Sequence, residues 1–118
     1  MKHGHKNHVW IKAARTEAWA KQGCKCAYCR SKLKRCEVTA DHVQPKARGG
    51  TDAKNIAAAC RFCNKAKGRI SPKRFKRMIT GGLKAPNVYI NHVRVVRALN
   101  RQTEIACKRI LASVGVCS

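Results

Sequence analysis

Cys26-Ala27-Tyr28-Cys29, then Val38-Thr39-Ala40-Asp41-His42-Val43-Gln44-Pro45, then Cys60-Arg61-Phe62-Cys63-Asn64 form the stretch that decides the fold of this 118-residue chain. Its two Cys-x-x-Cys pairs supply four thiolates, a common ligand set for tetrahedral zinc. Four thiolates fill the shell of the ion and leave no position for water, so the predicted site is structural. We therefore predict a zinc site made of Cys26, Cys29, Cys60 and Cys63.

The chain has eight cysteines, and alternatives to this ligand set follow from them. In a secreted protein they could form four disulfides, and they could also be free buried thiols. Met1 to Lys6 lead into an alanine-rich segment without an apolar core, so we expect no signal peptide and a reducing, cytoplasmic setting in a bacterial cell. Cys24 competes with Cys26 for the metal, but only Cys26 stands two residues before Cys29. We expect the others to be unligated, namely Cys36, Cys107 and Cys117.

The charge of the chain indicates a polyanionic partner. Lys and Arg total 27 and Asp and Glu total 5, which gives a formal net charge of +22 spread along the whole sequence. That imbalance is larger than solubility requires and is typical of nucleic-acid binding. Binding through many phosphate contacts should weaken steeply with salt. No apolar run reaches transmembrane length, so we expect no membrane partner.

The chain is short enough for a single domain that needs a staple, and a structural metal would provide one. Residues 1–8 are predicted to be a basic, flexible N-terminus, and residues 9–118 a single domain. Within it, residues 24–69 form the core and residues 71–118 a helical extension.

The local pattern predicts helices on both sides of the core. A helix is expected from Val9 to Gln22, a strand from Cys36 to Val43, and a loop from Lys46 to Lys54. The alanine-rich segment from Asn55 to Lys67 should be helical by Cys60. Ser71-Pro72 is an N-cap followed by a first-turn proline, which predicts a helix to about Thr80 that buries Phe75, Met78 and Ile79.

The last helix is predicted between Asn91 and Val114 from its 3.6-residue periodicity. Its apolar face is expected to consist of Val93, Val96, Leu99, Ala106, Ile110 and Val114. Basic residues lie on the opposite face: Arg94, Arg97, Arg101 and Lys108. That basic face is either an ordinary solvated surface or a rail for a nucleic-acid backbone.

The ordered set of motifs resembles the HNH endonuclease family. The matching pattern is Cys-x-x-Cys, Asp-His-Val-x-Pro with a Gly-Gly loop, Asn, and then Cys-x-x-Cys-Asn-x-x-Lys-Gly, from Cys26 to Gly68. The resemblance implies an α+β fold with a small ββα-metal core, also called a His-Me finger. That core would be stapled by the zinc site and flanked by N- and C-terminal helices.

The resemblance also implies a role for each site residue. His42 would be the general base that deprotonates a water molecule, and Asn55 would brace the loop and orient that base. Asp41 and Asn64 would hold a catalytic divalent cation. Asn64 stands where many members have histidine, which makes this a His-Asn-Asn version. Its all-oxygen ligands favour Mg²⁺ or Mn²⁺ over softer ions, and cleavage should leave 5′-phosphate ends.

By this resemblance the substrate is DNA, expected to be double-stranded and cut with low sequence specificity, because no reader module is recognisable. The predicted phosphate contacts are basic side chains that follow the metal site: Lys65, Lys67, Arg69, Lys73, Arg74, Lys76, Arg77, Arg94, Arg97 and Arg101. Small HNH proteins occur in bacteriophages, which suggests a phage-type protein with packaging proteins as partners. The alternatives are an inactive zinc-stabilised nucleic-acid-binding protein and an RNA-directed nuclease.

Overall fold

The computed structural model describes residues 4–42 and 56–115, and side chains within 11–42 and 56–115. The element order is α1 (Gly4–Lys21), a 3₁₀ turn (Arg35–Glu37), β1 (Val38–His42), β2 (Ile56–Cys60), α2 (Arg61–Lys67), α3 (Pro72–Ile79) and α4 (Val88–Ser113). The predicted brace Asn55, the Gly-Gly loop and Cys117 lie outside the described residues. No helix within the described residues is long and apolar enough to cross a membrane.

The two strands form an antiparallel sheet in which Asp41 pairs with Ala57 and His42 pairs with Ile56. The alanine-rich segment was expected to be helical by Cys60, but Ile56–Cys60 is a strand and the helix begins at Arg61. Tertiary contacts explain the difference, because they override the intrinsic helical preference of alanine. The side chain of Gln22, the residue after α1, bonds both backbone groups of Ala58, at 2.9 and 3.0 Å.

The first helix, α1, packs against this sheet and leads into the first cysteine pair. It begins at Gly4, inside the segment that was expected to be a flexible N-terminus. It ends at Lys21, and Gly23 and Cys24, just beyond, both have left-handed backbone angles (φ of 72° and 63°). Such angles reverse the chain and suit glycine best. The Trp19 indole then donates a hydrogen bond to Leu33 O at 2.9 Å, which ties the helix to the segment before β1.

The predicted helix after Ser71 is confirmed. The Ser71 hydroxyl accepts a hydrogen bond from Arg74 N at 3.3 Å, and Pro72 occupies the first turn of α3. Phe75, Met78 and Ile79 are buried as expected. The Phe75 ring meets the Tyr28 ring edge to face, with centroids 5.0 Å apart. This contact places the first cysteine pair in the same core as α3.

The face of α4 that meets the domain differs from the predicted one. Ile90 and Val93 are buried, but Leu99, Ala106, Ile110 and Val114 are exposed. Beyond Val96 the helix is attached mainly by polar side chains that reach the first cysteine pair: Arg97, Asn100 and Glu104. Hydrophobic periodicity misses this attachment because it identifies only apolar contacts.

Candidate metal centres

The four predicted zinc ligands come together in the structure. The Sγ atoms of Cys26, Cys29, Cys60 and Cys63 lie within 4.8 Å of one another. A tetrahedral ion with Zn–S bonds of about 2.3 Å would separate its sulfurs by about 3.8 Å, and Cys29 Sγ lies 3.9 Å from Cys60 Sγ. The sulfur arrangement therefore fits zinc, and all four positions of such an ion would be filled by protein.

Backbone amides and neighbouring thiols stabilise negative charge within this cluster. Tyr28 N and Cys60 N each lie 3.4 Å from Cys26 Sγ, in hydrogen-bonding geometry. Hydrogen bonding with Cys26 lowers the pKa of Cys29 and raises that of Cys63, and a bound metal would displace the remaining thiol protons. Cys24 lies outside the four-sulfur cluster, while Cys36 and Cys107 are exposed and free.

Asp41 lies beneath the surface, between the two cysteine pairs. Asp41 is 5 % exposed to solvent. Oδ2 accepts a hydrogen bond from the Tyr28 hydroxyl, and Oδ1 lies 3.3 Å from the Lys67 ammonium. Each carboxylate oxygen thus has its own partner, and both partners come from the segments that carry the zinc ligands.

Lys67 itself is 6 % exposed, which is unusual for a lysine. Its ammonium also approaches the backbone oxygens of Ile70 and Gly68, at 3.1 and 3.5 Å. Burial, followed by the hydrogen bond with Asp41, raises the pKa of Tyr28 above its usual range, so Tyr28 keeps its proton. The buried charges of Asp41 and Lys67 need such hydrogen-bonding and ion-pair partners.

Asn64 lies on α2 facing β1, beside Asp41. Its Nδ2 donates to Thr39 Oγ1 at 3.2 Å and approaches Ala40 O at 3.5 Å. Within the part of the chain that the structure describes, Asn64 Oδ1 accepts no hydrogen bond, so this oxygen is available to a cation. A carboxylate and an amide oxygen suit Mg²⁺ or Mn²⁺. Such an ion would share Asp41 with the Lys67 ammonium or displace it.

His42 is the last residue of β1 and is half-buried. Side chains of successive strand residues point to opposite faces, so His42 and Asp41 leave the strand in different directions. The Lys67–Asp41 and Asn64–Thr39 contacts put Asp41 and Asn64 at the interface between β1 and α2, and His42 follows Asp41 at the end of β1.

Most of the predicted phosphate contacts are exposed, and two are not. The exposed side chains are Lys65, Arg69, Lys73, Arg74, Lys76, Arg77, Arg94 and Arg101. Lys67 instead pairs with Asp41, and the half-buried Arg97 donates to Tyr28 O at 2.7 Å. Burial, then the nearby charge of Arg30, lowers the pKa of Arg97. These two cations have internal partners.

Sequence reasoning missed Tyr28 and Lys67 as partners of Asp41. Their positions offered a signal: Tyr28 lies inside the first Cys-x-x-Cys pair, and Lys67 lies one helical turn after Cys63. Residues three or four apart on a helix share a face, so Lys67 shares a face with Cys63 and Asn64. That spacing does not indicate, however, that Lys67 is buried.

The fold and site define a class of protein, and comparisons with known proteins agree with it. A two-stranded hairpin followed by a helix, with a Cys₄ cluster, is consistent with a ββα-metal core. Residues 26–80 match the family model described as "HNH endonuclease". The chain is 36 % identical over 70 residues to "CRISPR-associated endonuclease Cas9" of Corynebacterium diphtheriae, across 53 % of this chain. The aligned segment is 6 % of that relative's length.

No solved structure matches the chain. The family model matches the segment that contains both cysteine pairs, Asp41 and His42, and the Cas9 match also supports the HNH family.

Proposed function

We propose that this protein is a metal-dependent HNH DNA endonuclease that hydrolyses phosphodiester bonds, by nicking or by cutting both strands. One observation carries the proposal: Asp41 of β1 and Asn64 of α2 both lie where these two elements meet, with His42 next to Asp41 in the chain, inside the segment that matches the HNH family. The family is named for endonucleases, and the net charge of +22 suits a polyanionic substrate.

Each site residue has a role in this mechanism. Asp41 and Asn64 would hold one Mg²⁺ or Mn²⁺, which supplies charge neutralisation at the phosphate and leaving oxygen when bound. His42 would accept the proton of the attacking water, because imidazole titrates near neutral pH. Asn55 would orient His42. Since His42 activates the water, one cation suffices, and the scarcity of acidic residues agrees with that.

The proposed DNA surface consists of the eight exposed cations named above. Lys65 and Arg69 flank the metal site, and the others extend from it along α3 and α4. Phosphate contacts position a duplex without reading its sequence. We therefore propose low sequence specificity, with double-stranded DNA as the substrate.

A second candidate function is an inactive zinc-stabilised nucleic-acid-binding protein. The observation in its favour is the Asp41 carboxylate, which already has Tyr28 and Lys67 as partners. If that ion pair persists in the presence of Mg²⁺ or Mn²⁺, the protein binds nucleic acid but cleaves nothing.

A plasmid-nicking assay separates the two functions. Zinc-loaded protein is incubated with supercoiled DNA alone, or with Mg²⁺, Mn²⁺, Zn²⁺ or Ni²⁺. We expect nicking with Mg²⁺ or Mn²⁺ above that with the softer ions. His42→Ala should lose at least about 100-fold in rate, as removal of a general base does, while it keeps its zinc content and DNA affinity. Absence of nicking with every ion, or near-normal nicking by His42→Ala, would refute the nuclease mechanism.

The biological setting is a further proposal. From the resemblance to the HNH family we propose a phage or prophage source, action in the cytoplasm of a bacterial host, and DNA-packaging proteins as partners. The neighbouring genes test it: packaging genes on either side would support it, and a restriction or mobile-element context would contradict it.

A further inference from the structure

An aromatic pocket lies where α2 meets the beginning of α4. It has a volume of about 360 Å³ and is lined by Phe62, Lys65, Ala66, Asn87 and Tyr89. Phe62 is 45 % exposed and Tyr89 is 62 % exposed. None of the functions assigned above uses Phe62 or Tyr89.

Exposed aromatic rings are notable in this chain because it has few aromatic residues. The sequence holds two Trp, two Tyr and two Phe. Tyr28 and Phe75 are fully buried, and Trp19 packs against the core. Among the aromatic side chains that the structure describes, Phe62 and Tyr89 are the exposed ones, and both line one cavity. Apolar surface that is retained in this way commonly marks a binding site.

Neighbouring contacts position the residues that line the pocket. Phe62 precedes the proposed zinc ligand Cys63, and its ring lies edge-on to His92 with centroids 5.0 Å apart. Asn87 caps α4 by accepting a hydrogen bond from Ile90 N at 2.9 Å, which sets the helix start that carries Tyr89. A preformed aromatic surface loses little conformational entropy on binding.

The charge at the rim indicates what the pocket binds. Lys65 lines the pocket, Arg61 is exposed at the start of the same helix, and the chain as a whole is strongly cationic. Aromatic rings combined with cations form the usual binding surface for unpaired bases, where the ring stacks on the base and the cation contacts the phosphate. We propose that the Phe62–Tyr89 pocket binds one unpaired nucleobase of the nucleic-acid substrate.

This inference rests on the proposed function, and the location of the pocket indicates which nucleotide of the substrate it would bind. Phe62 precedes Asn64 by two residues, which is about 200° around a helix, so the pocket lies on the side of α2 away from β1. Lys65 follows Asn64 and lines the pocket, about 60° from Phe62 and about 100° from Asn64 around the helix, so it adjoins both sides. The base would therefore belong to a nucleotide that flanks the scissile phosphate. The preferred substrate would be DNA with an unpaired or displaced nucleotide near the cut.

Equilibrium binding in the absence of Mg²⁺ and Mn²⁺ tests this proposal independently of catalysis. The probes are two fluorescein-labelled duplexes that share a sequence, one with a bulged adenine and one with an abasic residue at the bulge. We expect wild-type protein to bind the adenine probe about 5- to 150-fold more tightly, the range expected for stacking on one base. Tyr89→Ala should reduce that preference at least several-fold and leave affinity for the abasic probe unchanged.

Leu99→Ala is the matched control, because Leu99 is exposed on the same helix outside the pocket; its preference should equal that of wild type. Phe62→Leu keeps an apolar side chain without a stacking ring, and a melting temperature near wild type shows that it folds. The base-binding proposal would be overturned by equal affinity of wild-type protein for both probes. An unchanged preference for the adenine probe in Tyr89→Ala and Phe62→Leu would also overturn it. Neither result would affect the nuclease proposal. Failure of wild-type protein to bind either duplex would overturn both.

Discussion

Lys67→Met is the change that tests the buried ion pair most directly. Methionine keeps the length and apolar stem of lysine but removes the ammonium 3.3 Å from Asp41 Oδ1. At that distance, two unit charges interact by about 5 kcal/mol with an effective dielectric constant of 20. Breaking a buried pair by removing one partner typically costs about 3–5 kcal/mol, because the other charge stays buried and uncompensated. We expect Lys67→Met to lower the free energy of unfolding by that amount.

The assay is urea unfolding of zinc-saturated protein, followed by far-UV circular dichroism. Lys65→Met is the matched control, because Lys65 is exposed on the same helix and should change the free energy of unfolding by less than about 0.5 kcal/mol. Asp41→Asn completes a double-mutant cycle, since it removes the carboxylate charge. The double variant should be more stable than the sum of the single effects predicts, by at least about 2 kcal/mol.

The result that would refute this reasoning is a small effect. If Lys67→Met changes the free energy of unfolding by less than about 1 kcal/mol and shows no coupling with Asp41→Asn, the ion pair does not hold α2 against β1. An unchanged slope of the free energy against urea concentration would show that the variants unfold from equally compact states.

Two further predictions concern the frame around this pair. Cys60→Ser should lose most of its zinc and melt at a lower temperature, because Cys60 Sγ belongs to the four-sulfur cluster and also accepts the hydrogen bond from Cys63 N at 3.4 Å. The control is Cys107→Ser, at an exposed cysteine outside the cluster. Stoichiometric zinc in Cys60→Ser, measured by atomic spectrometry, would contradict the ligand set. Glu104→Gln should cost about 1–3 kcal/mol of unfolding free energy near pH 7, because hydrogen bonding from Arg30 lowers the pKa of Glu104 to about 2. The contribution of Glu104 to the free energy of unfolding is complete above the unfolded carboxyl pKa of about 4.3 and disappears as pH falls through about 2. If wild type and variant differ in that free energy as much at pH 2 as at pH 7, this assignment is wrong.

The zinc ligands and α3 were predictable because each depends on local sequence. Two matched Cys-x-x-Cys pairs specify the sulfur cluster, and Ser71-Pro72 specifies where α3 begins. The path of Ile56–Cys60 was not predictable in the same way. Alanine favours a helix in isolation, and only pairing with β1 and the Gln22 hydrogen bonds make this segment a strand.

The contact between α4 and the rest of the domain depends on polar pairs that are far apart in sequence. Glu104 pairs with Arg30, Lys25 and Arg101, at 3.1, 3.4 and 2.6 Å. The chain has 27 Lys and Arg residues, and the sequence does not indicate which of them pair with Glu104. The buried Asp41–Lys67 pair was also missed, because Asp41 was assigned only to a metal and Lys67 only to phosphate contacts.

Tyr28 connects the predicted zinc site to the proposed catalytic site, and this explains why α4 attaches where it does. The backbone oxygen of Tyr28 accepts a hydrogen bond from Arg97, and its hydroxyl donates to Asp41. Asn100 holds Cys29 O in the same way, at 2.8 Å. A residue that is fixed at both ends cannot shift without moving the carboxylate that it holds. The zinc cluster and α4 therefore limit the positions available to Asp41 together, even though neither contributes a ligand to the proposed catalytic cation.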